Sequence, residues 1–244
     1  MKLANKNIII TGSTGGIGRE LIKSLDEEGA NLILISRSKE DLDVQAKELK
    51  SKCFCFPCDF SDQKSLDSLV HDISKKFKVI DLIINSAGIG VYKAIEDSTI
   101  EEWNNSMNIN VTSVFILIRG LSKNLQKSKD SLVINIGSGA GVIPMGGRSI
   151  YCATKFAVRG LTLSLAEEFK GTSVDFCLIT LGSTLTSFGS KSFEEKKEEM
   201  QSGKAYFTPT WVAEKLVEIA KDNRRNTEYT LFPSNYSSEW QRHS

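Results

Sequence analysis

The chain has 244 residues, 40% of them hydrophobic and 25% charged, a composition that fits a globular protein burying a sizeable core. A formal net charge of +1 supplies no overall field for nucleic acid or an anionic membrane, and no apolar run approaches the ~20 residues of a bilayer span. The three-Ile run near the start is too short for the apolar region of a signal peptide, so the expectation is a soluble, cytoplasmic protein with reduced thiols.

Strand and helix patterns alternate along the chain. "NIIIT" (7–11) is a short apolar run ending in glycines, and "GGIGRELIKSLDEEGA" after it is amphipathic. "NLILIS" (31–36) precedes a polar helix pattern, "KEDLDVQAKELKS". In "CFCFPCD", Cys53, Cys55 and Cys58 raise the question of a metal. Cys-Phe alternation also fits a half-buried strand, and only His71 and His243 are available to complete a zinc set, so a strand and no metal are expected. "SDQKSLDSLVHDISKKF" and "VIDLIINSAG" continue the alternation.

Ser98 and Glu101 have the spacing of a capping box opening a helical region that runs to about Lys127. "SLVINIG" (131–137) reads as a strand, "SIYCATKFAVRGLTLSLAEEF" as a helix and "SVDFCLIT" (173–180) as a strand. Thr208-Pro209 fits an N-cap with Pro at the first helical position, and "TEYTLF" (227–232) fits a last strand. Buried runs separated by helices of this length are βαβ units. They predict an α/β fold: one doubly wound parallel sheet of about seven strands, helices on both faces, in a single domain spanning 1–244. The charged segment 187–207 follows a strand that ends at the ligand-binding edge of such a sheet, where it is expected to cover substrate.

Thr11-Gly12-Ser13-Thr14-Gly15-Gly16-Ile17-Gly18 lies between the first strand and first helix. Glycines there let the backbone turn sharply and approach a pyrophosphate at the helix N-terminus. This TGxxxGIG pattern, with Tyr151 and Lys155 as YxxxK about 140 residues on, resembles the short-chain dehydrogenases/reductases. "DLIINSAG", "NINVTSVF" and "INIGSGAG" resemble three further segments of that family in the same order, over about residues 5–220. Two positions depart from the pattern. Ser86 replaces an Asn, and Leu181 replaces the Pro of PGxxxT, which restores an N–H and predicts a freer loop around Gly182 and Thr186.

The resemblance implies a Rossmann-like fold and a nicotinamide cofactor held by Gly12, Ser13, Thr14, Gly16, Ile17 and Gly18, by Asn85, Ser86, Ala87 and Gly88, and by Thr184 and Thr186. Asp59, with Phe60, matches the acidic residue placed near the adenine, or else Asp59 caps the helix starting near Asp62. NAD-using relatives end the second strand with an acid, whereas Ser36-Arg37 stands here. A guanidinium and a hydroxyl suit a 2′-phosphate, so NADP(H) is expected.

Tyr151 and Lys155, at i and i+4, share a helix face. A nearby ammonium is expected to lower the Tyr pKa from ~10 toward working pH, making Tyr151 the acid–base group for hydride transfer to a carbonyl or from a secondary alcohol. By resemblance Lys155 also holds the nicotinamide ribose, Ser138 bonds the substrate oxygen, and Asn110 holds a water that passes protons to Lys155. The runner-up activity is a 3-oxoacyl-[acyl-carrier-protein] reductase, although the C-terminal "NTEYTLFPSNYSSEWQRHS" lacks the Gly-rich ending of those enzymes. A non-catalytic NADP(H)-binding regulator is the remaining alternative. "VTSVFILIRGL" and "FAVRGLTLSLAEEF" are apolar over more than one stripe, which predicts a homodimer or homotetramer.

Overall fold

In the computed structural model, which describes residues 1–236, the apolar runs form seven strands: β1 Asn7–Thr11, β2 Asn31–Ser36, β3 Cys53–Pro57, β4 Leu82–Asn85, β5 Ser131–Ile136, β6 Val174–Leu181 and β7 Glu228–Leu231. They pair in parallel in the order β3-β2-β1-β4-β5-β6-β7. Successive side chains of a strand point to opposite faces, so each run feeds two cores. Ile8, Ile10, Leu32, Leu34, Leu82 and Ile84 pack on one face, and Ile9, Ile33, Ile35 and Ile83 on the other. Burying each such side chain is worth roughly 1.5–3 kcal/mol, and a sheet loaded on both faces needs helices on both.

Those helices are α1 Gly16–Glu27, α2 Lys39–Lys47, α3 Gln63–Lys76, α4 Ile100–Met107, α5 Ser113–Leu125, α6 Ser149–Glu168, α7 Phe193–Gln201 and α8 Pro209–Lys221. α1 packs on α8 over one core and α3 on α5 over the other. Their ends follow local chemistry. Thr208 accepts from the Trp211 N–H with Pro209 in the first turn, as expected, and Ser192 forms a capping box with Glu195. α5 buries Val114, Leu117, Leu121 and Leu125 yet leaves Phe115 exposed, and α6 leaves Phe156 exposed.

Several expectations are corrected. The capping box opening α4 is Thr99 with Glu102, one residue later than expected, because the Ser98 hydroxyl donates to Ala94 O in the preceding turn. Asp62 caps α3, while the Asp59 carboxylate accepts from the N–H and hydroxyl of Ser61 and caps nothing further on. Leu181 closes β6, buried and in register with Leu231, and the Gly182 N–H donates to Leu231 O at 2.7 Å, so the departure from Pro falls at the end of a strand. The helical region expected up to about Lys127 runs from Ile100 to Leu125 and carries a π-helical turn at Asn108–Thr112, between α4 and α5.

Cys53 and Cys55 side chains meet the core on one face of β3 and Phe54 and Phe56 that on the other, as strand alternation requires. Cys58 is buried beside Ser65, and His243 lies outside the described residues. No helix among the described residues is long and apolar enough to cross a membrane.

Candidate active site

The strand order reverses between β1 and β4, and ligands of such sheets bind in the crevice at the carboxyl ends beside that point. A cleft of about 780 Å³ opens there. Its floor at one end is the turn after β1. Gly12 has φ +66°, and a Cβ on it would lie 2.8 Å from the Ala87 Cα; a Cβ on Gly18 would lie 2.3 Å from Gly12 O. Both are glycine because the backbone folds on itself at these points. The N-terminus of α1 opens into the cleft at Gly15, with no side chain capping it. Uncapped N–H groups at the positive end of a helix form a cradle for phosphate, and this one fits a dinucleotide's pyrophosphate.

Beyond the turn, the Thr14 and Ser36 hydroxyls are 2.6 Å apart, and the exposed Arg37 follows Ser36 on the cleft wall. The Asp59 carboxyl is held below its ordinary range, first by the Ser61 N–H and hydroxyl and then by the charge of Arg37. Gly16, Ile17, Phe60, Ser86, Ala87, Gly88, Thr184 and Thr186 also line the cleft. Ser13 and Asn85 do not. Ser13 is fully buried, and its carbonyl accepts from Gln45 Nε2 behind the wall. Asn85 is buried as well, donating to Asn135 Oδ1 at 2.7 Å, so it braces β4 against β5. The sequence identifies the right turn and strand end but not which of their side chains face back into the sheet.

At the other end, α6 carries Tyr151 and Lys155 into the cleft, facing Ser138 at the end of β5. Burial drives the pKa of Tyr151 up, while a hydrogen bond with Ser138 and the charge of Arg148 work to lower it. Lys155 is buried, its pKa is lowered to about 8 by desolvation, and Nζ donates to Ile136 O at 2.8 Å. The expected depression of the Tyr151 pKa by Lys155 is therefore not met by the protein's own groups. The ammonium is turned toward Ile136, 5.8 Å from the centroid of the Tyr151 ring.

Asn110 sits in the π-helical turn and is buried. Its Oδ1 accepts from the Ile89 N–H at 2.8 Å, and its Nδ2 donates to Ile89 O at 2.8 Å and to Thr154 Oγ1 at 3.0 Å. Both amide hydrogens are thus spent, leaving one lone pair on Oδ1. The clamp ties the loop after β4 to α6. Gly88 makes room for it: a Cβ there would lie 3.3 Å from Asn110 Oδ1 and 4.0 Å from Lys155 Nζ.

Nothing in the local sequence anticipates the walls around Tyr151. Its ring contacts those of Tyr92 and Phe188, at centroid distances of 5.6 and 5.9 Å. Phe188 belongs to the charged 187–207 segment, whose helix α7 sits over this end of the cleft. Lys196 of α7 is buried and donates to Thr186 O at 2.8 Å and to Phe188 O, fastening the helix to the loop that carries Phe188. Glu199 gathers Lys191, Lys204 and the Tyr206 hydroxyl, which hold its pKa at about 2. Aromatic residues and charges far apart in sequence converge here, and local pattern carries no signal for that.

Comparison with known proteins agrees with this arrangement. The family model described as short chain dehydrogenase matches residues 6–197. The 3-oxoacyl-[acyl-carrier-protein] reductase of Haemophilus influenzae is 30% identical over 195 residues, 80% of this chain and 81% of that protein. An alcohol dehydrogenase from the archaeon Thermococcus sibiricus, solved with 5-hydroxy-NADP, superposes with a TM-score of 0.84 at 25% identity, covering 93% of this chain and 95% of that one. A short chain dehydrogenase/reductase from Burkholderia phymatum, solved with NAD, shares the fold with a TM-score of 0.81 at 20% identity, covering 96% and 90%. Motif order, seven-stranded sheet and family match coincide, and the chain belongs to the short chain dehydrogenase family of oxidoreductases.

Proposed function

We propose that the protein is an NADP(H)-dependent oxidoreductase that interconverts a carbonyl compound and a secondary alcohol, with Tyr151 as the acid–base group. The observation that carries this reading is that Ser138, Tyr151 and Lys155 line the same cleft as the glycine turn. The cofactor, when bound, supplies or accepts the hydride. In reduction, the Tyr151 hydroxyl gives its proton to the substrate oxygen as the carbon gains hydride. The Ser138 hydroxyl is a second donor fixing that oxygen where charge develops. Lys155 holds the ribose and returns a proton to Tyr151, with Asn110 steadying the loop at Ile89 and offering its free lone pair to a relay water. Tyr92 and Phe188, both packed against the buried Tyr151, limit the water reaching it.

Thr14, Ser36 and Arg37 form the reading's 2′-phosphate site, which favours NADP(H) over NAD(H). Consumption of NADPH on a panel of ketones and aldehydes should exceed that of NADH at least tenfold in kcat/KM. Arg37→Asp should reverse the order, since a carboxylate repels the 2′-phosphate and accepts from a 2′-hydroxyl. Equal kcat/KM for both cofactors in the wild type would take Arg37 out of the site. Similarity to the Haemophilus influenzae enzyme favours a second reading, reduction of a 3-oxoacyl thioester, which the same assay tests with an acyl-thioester.

Phe115 on α5 and Phe156 on α6, each about 45% exposed, are large apolar side chains at the outer faces of the two helices. We expect them to be covered in a homodimer or homotetramer. Light scattering at micromolar concentration should return two or four times the 27.0 kDa chain mass, and a monomer would refute the assembly.

A further inference from the structure

The substrate end of the cleft carries more cations than carboxylates in ion-pair contact with them. Lys191 and Lys204 are answered by Glu199. Arg148 and Lys196 line the same end, and neither has an ion-pair partner among the described residues. The chain as a whole is nearly neutral, at +1, so this imbalance is local.

Arg148 immediately precedes α6, three residues before Tyr151. Its guanidinium sits 5.2 Å from the centre of the Tyr92 ring, which is itself in contact with Tyr151. Among the described residues its one side-chain hydrogen bond is a 3.6 Å contact to Met145 Sδ, a weak acceptor. Most of its N–H groups are left for a ligand. Across the cleft, Lys196 spends two N–H groups on the carbonyls of Thr186 and Phe188, which carry no formal charge, and keeps the third. Arg148 near the acid–base residue and Lys196 fastened to the loop that carries Phe188, in a cleft also walled by Ile143 and Phe188, match a short apolar chain ending in an anion.

We propose that the substrate bears a carboxylate close to its reacting carbon, and that Arg148 selects it, with Lys196 as the second cation. This makes the substrate a short oxo acid and the product the corresponding hydroxy acid. It rests on the oxidoreductase reading above: the carbonyl carbon gains a hydride, its oxygen gains the proton of Tyr151, and the reduced nucleotide is oxidised. The planar fork of Arg148 pairs with both oxygens of a carboxylate, a recognition that an ester, amide or thioester cannot return.

The test has a turnover arm and a binding arm. In the first, kcat/KM with NADPH is measured for 2- and 3-oxobutanoate and for their methyl esters. The wild type should favour one of the acids over its ester at least tenfold, and less so as salt rises. Arg148→Gln should abolish most of that ratio and Lys196→Gln part of it, whereas a variant that merely packs badly would lower acid and ester together and keep the ratio. In the second arm, calorimetry on the NADP⁺-loaded wild type compares butanoate with butanamide, neither of which can be reduced. Butanoate should bind at least tenfold tighter, and this needs no variant to fold. Turnover of acid and ester alike, with butanoate binding no better than the amide, overturns the inference and leaves the oxidoreductase standing. Butanoate binding that depends on Arg148, with no carbonyl reduced at all, upholds the anion site and overturns the oxidoreductase reading.

Discussion

Replacing Tyr151 with Phe should lower kcat by 10²- to 10⁴-fold, the range that a positioned proton donor contributes. The change removes one oxygen and keeps the ring contacts with Tyr92 and Phe188, so folding and NADPH affinity should hold. The direction of reaction gives a second readout. Burial raises the pKa of this hydroxyl, so it stays protonated through neutral pH and is ready to donate in carbonyl reduction. Alcohol oxidation needs the tyrosinate, so its rate should climb with pH from 7 to 9 in the wild type. The residual activity of Tyr151→Phe should lack that climb. A variant that keeps most of its turnover on the true substrate would mean that the proton comes from another group.

The second large effect is expected at Lys155, where activity should fall without a loss of stability. Desolvation holds this ammonium near a pKa of 8, against 10.5 for an unperturbed lysine. Below pH 8 both the folded and the unfolded chain carry the proton, and the folded state bears the full penalty, about 3 kcal/mol from the shift. Between 8 and 10.5 the unfolded chain binds more protons than the folded one, so wild-type stability rises with pH and the penalty fades. Lys155→Met removes the charge and keeps most of the packing, at the cost of the hydrogen bond to Ile136 O, worth about 1.5–3 kcal/mol for a charged donor, which offsets much of that penalty. The cofactor-free variant should therefore melt no lower than the wild type at pH 7, and at most a few degrees higher. The gap should shrink as pH approaches 10. Tyr151 titrates in both proteins, so the difference isolates the lysine. Turnover and NADPH affinity should fall together, because the same amine is assigned to the ribose and to the proton path. A variant that melts lower at pH 7, or whose deficit does not change with pH, would show that the ammonium is not held at a penalty.

The parts of this fold that were legible in the sequence are those written in short windows. β1, β2 and β4 declare themselves as Ile and Leu runs, and the reversal of strand order follows from their helical connections. Tyr151 and Lys155 were legible for the same reason, since one helical turn fixes their common face. Windows fail where neighbours offer equal local chemistry. Ser98 and Thr99 are adjacent hydroxyls, each with a Glu three residues on, and only the fold of the preceding turn decides between them. They fail again where facing depends on the turn itself, as at Ser13 and Asn85, which point behind the cleft. Arg148 carries no pattern at all: its meaning comes from Tyr92, more than fifty positions away in the chain.

The π-helical turn at Asn108–Thr112 makes the length of this stretch a functional quantity in its own right. An α-helix advances about 100° per residue, so a wider turn resets the angular phase between the helices on its two sides. α4 presents Ile100 and Trp103 outward in one phase, and α5 lays Val114, Leu117 and Leu121 against the sheet in another. Excising any one residue from 108–112 invites the backbone to close into a uniform spiral. That would swing either Asn110 away from Ile89 and Thr154 or the whole apolar stripe of α5 away from its core. Conservative replacements within the stretch leave the phase intact. Asn110 apart, whose amide the clamp needs, the stretch thus stores a count rather than a composition, and a library of single-codon deletions should find it far less forgiving than a library of substitutions over its other four codons.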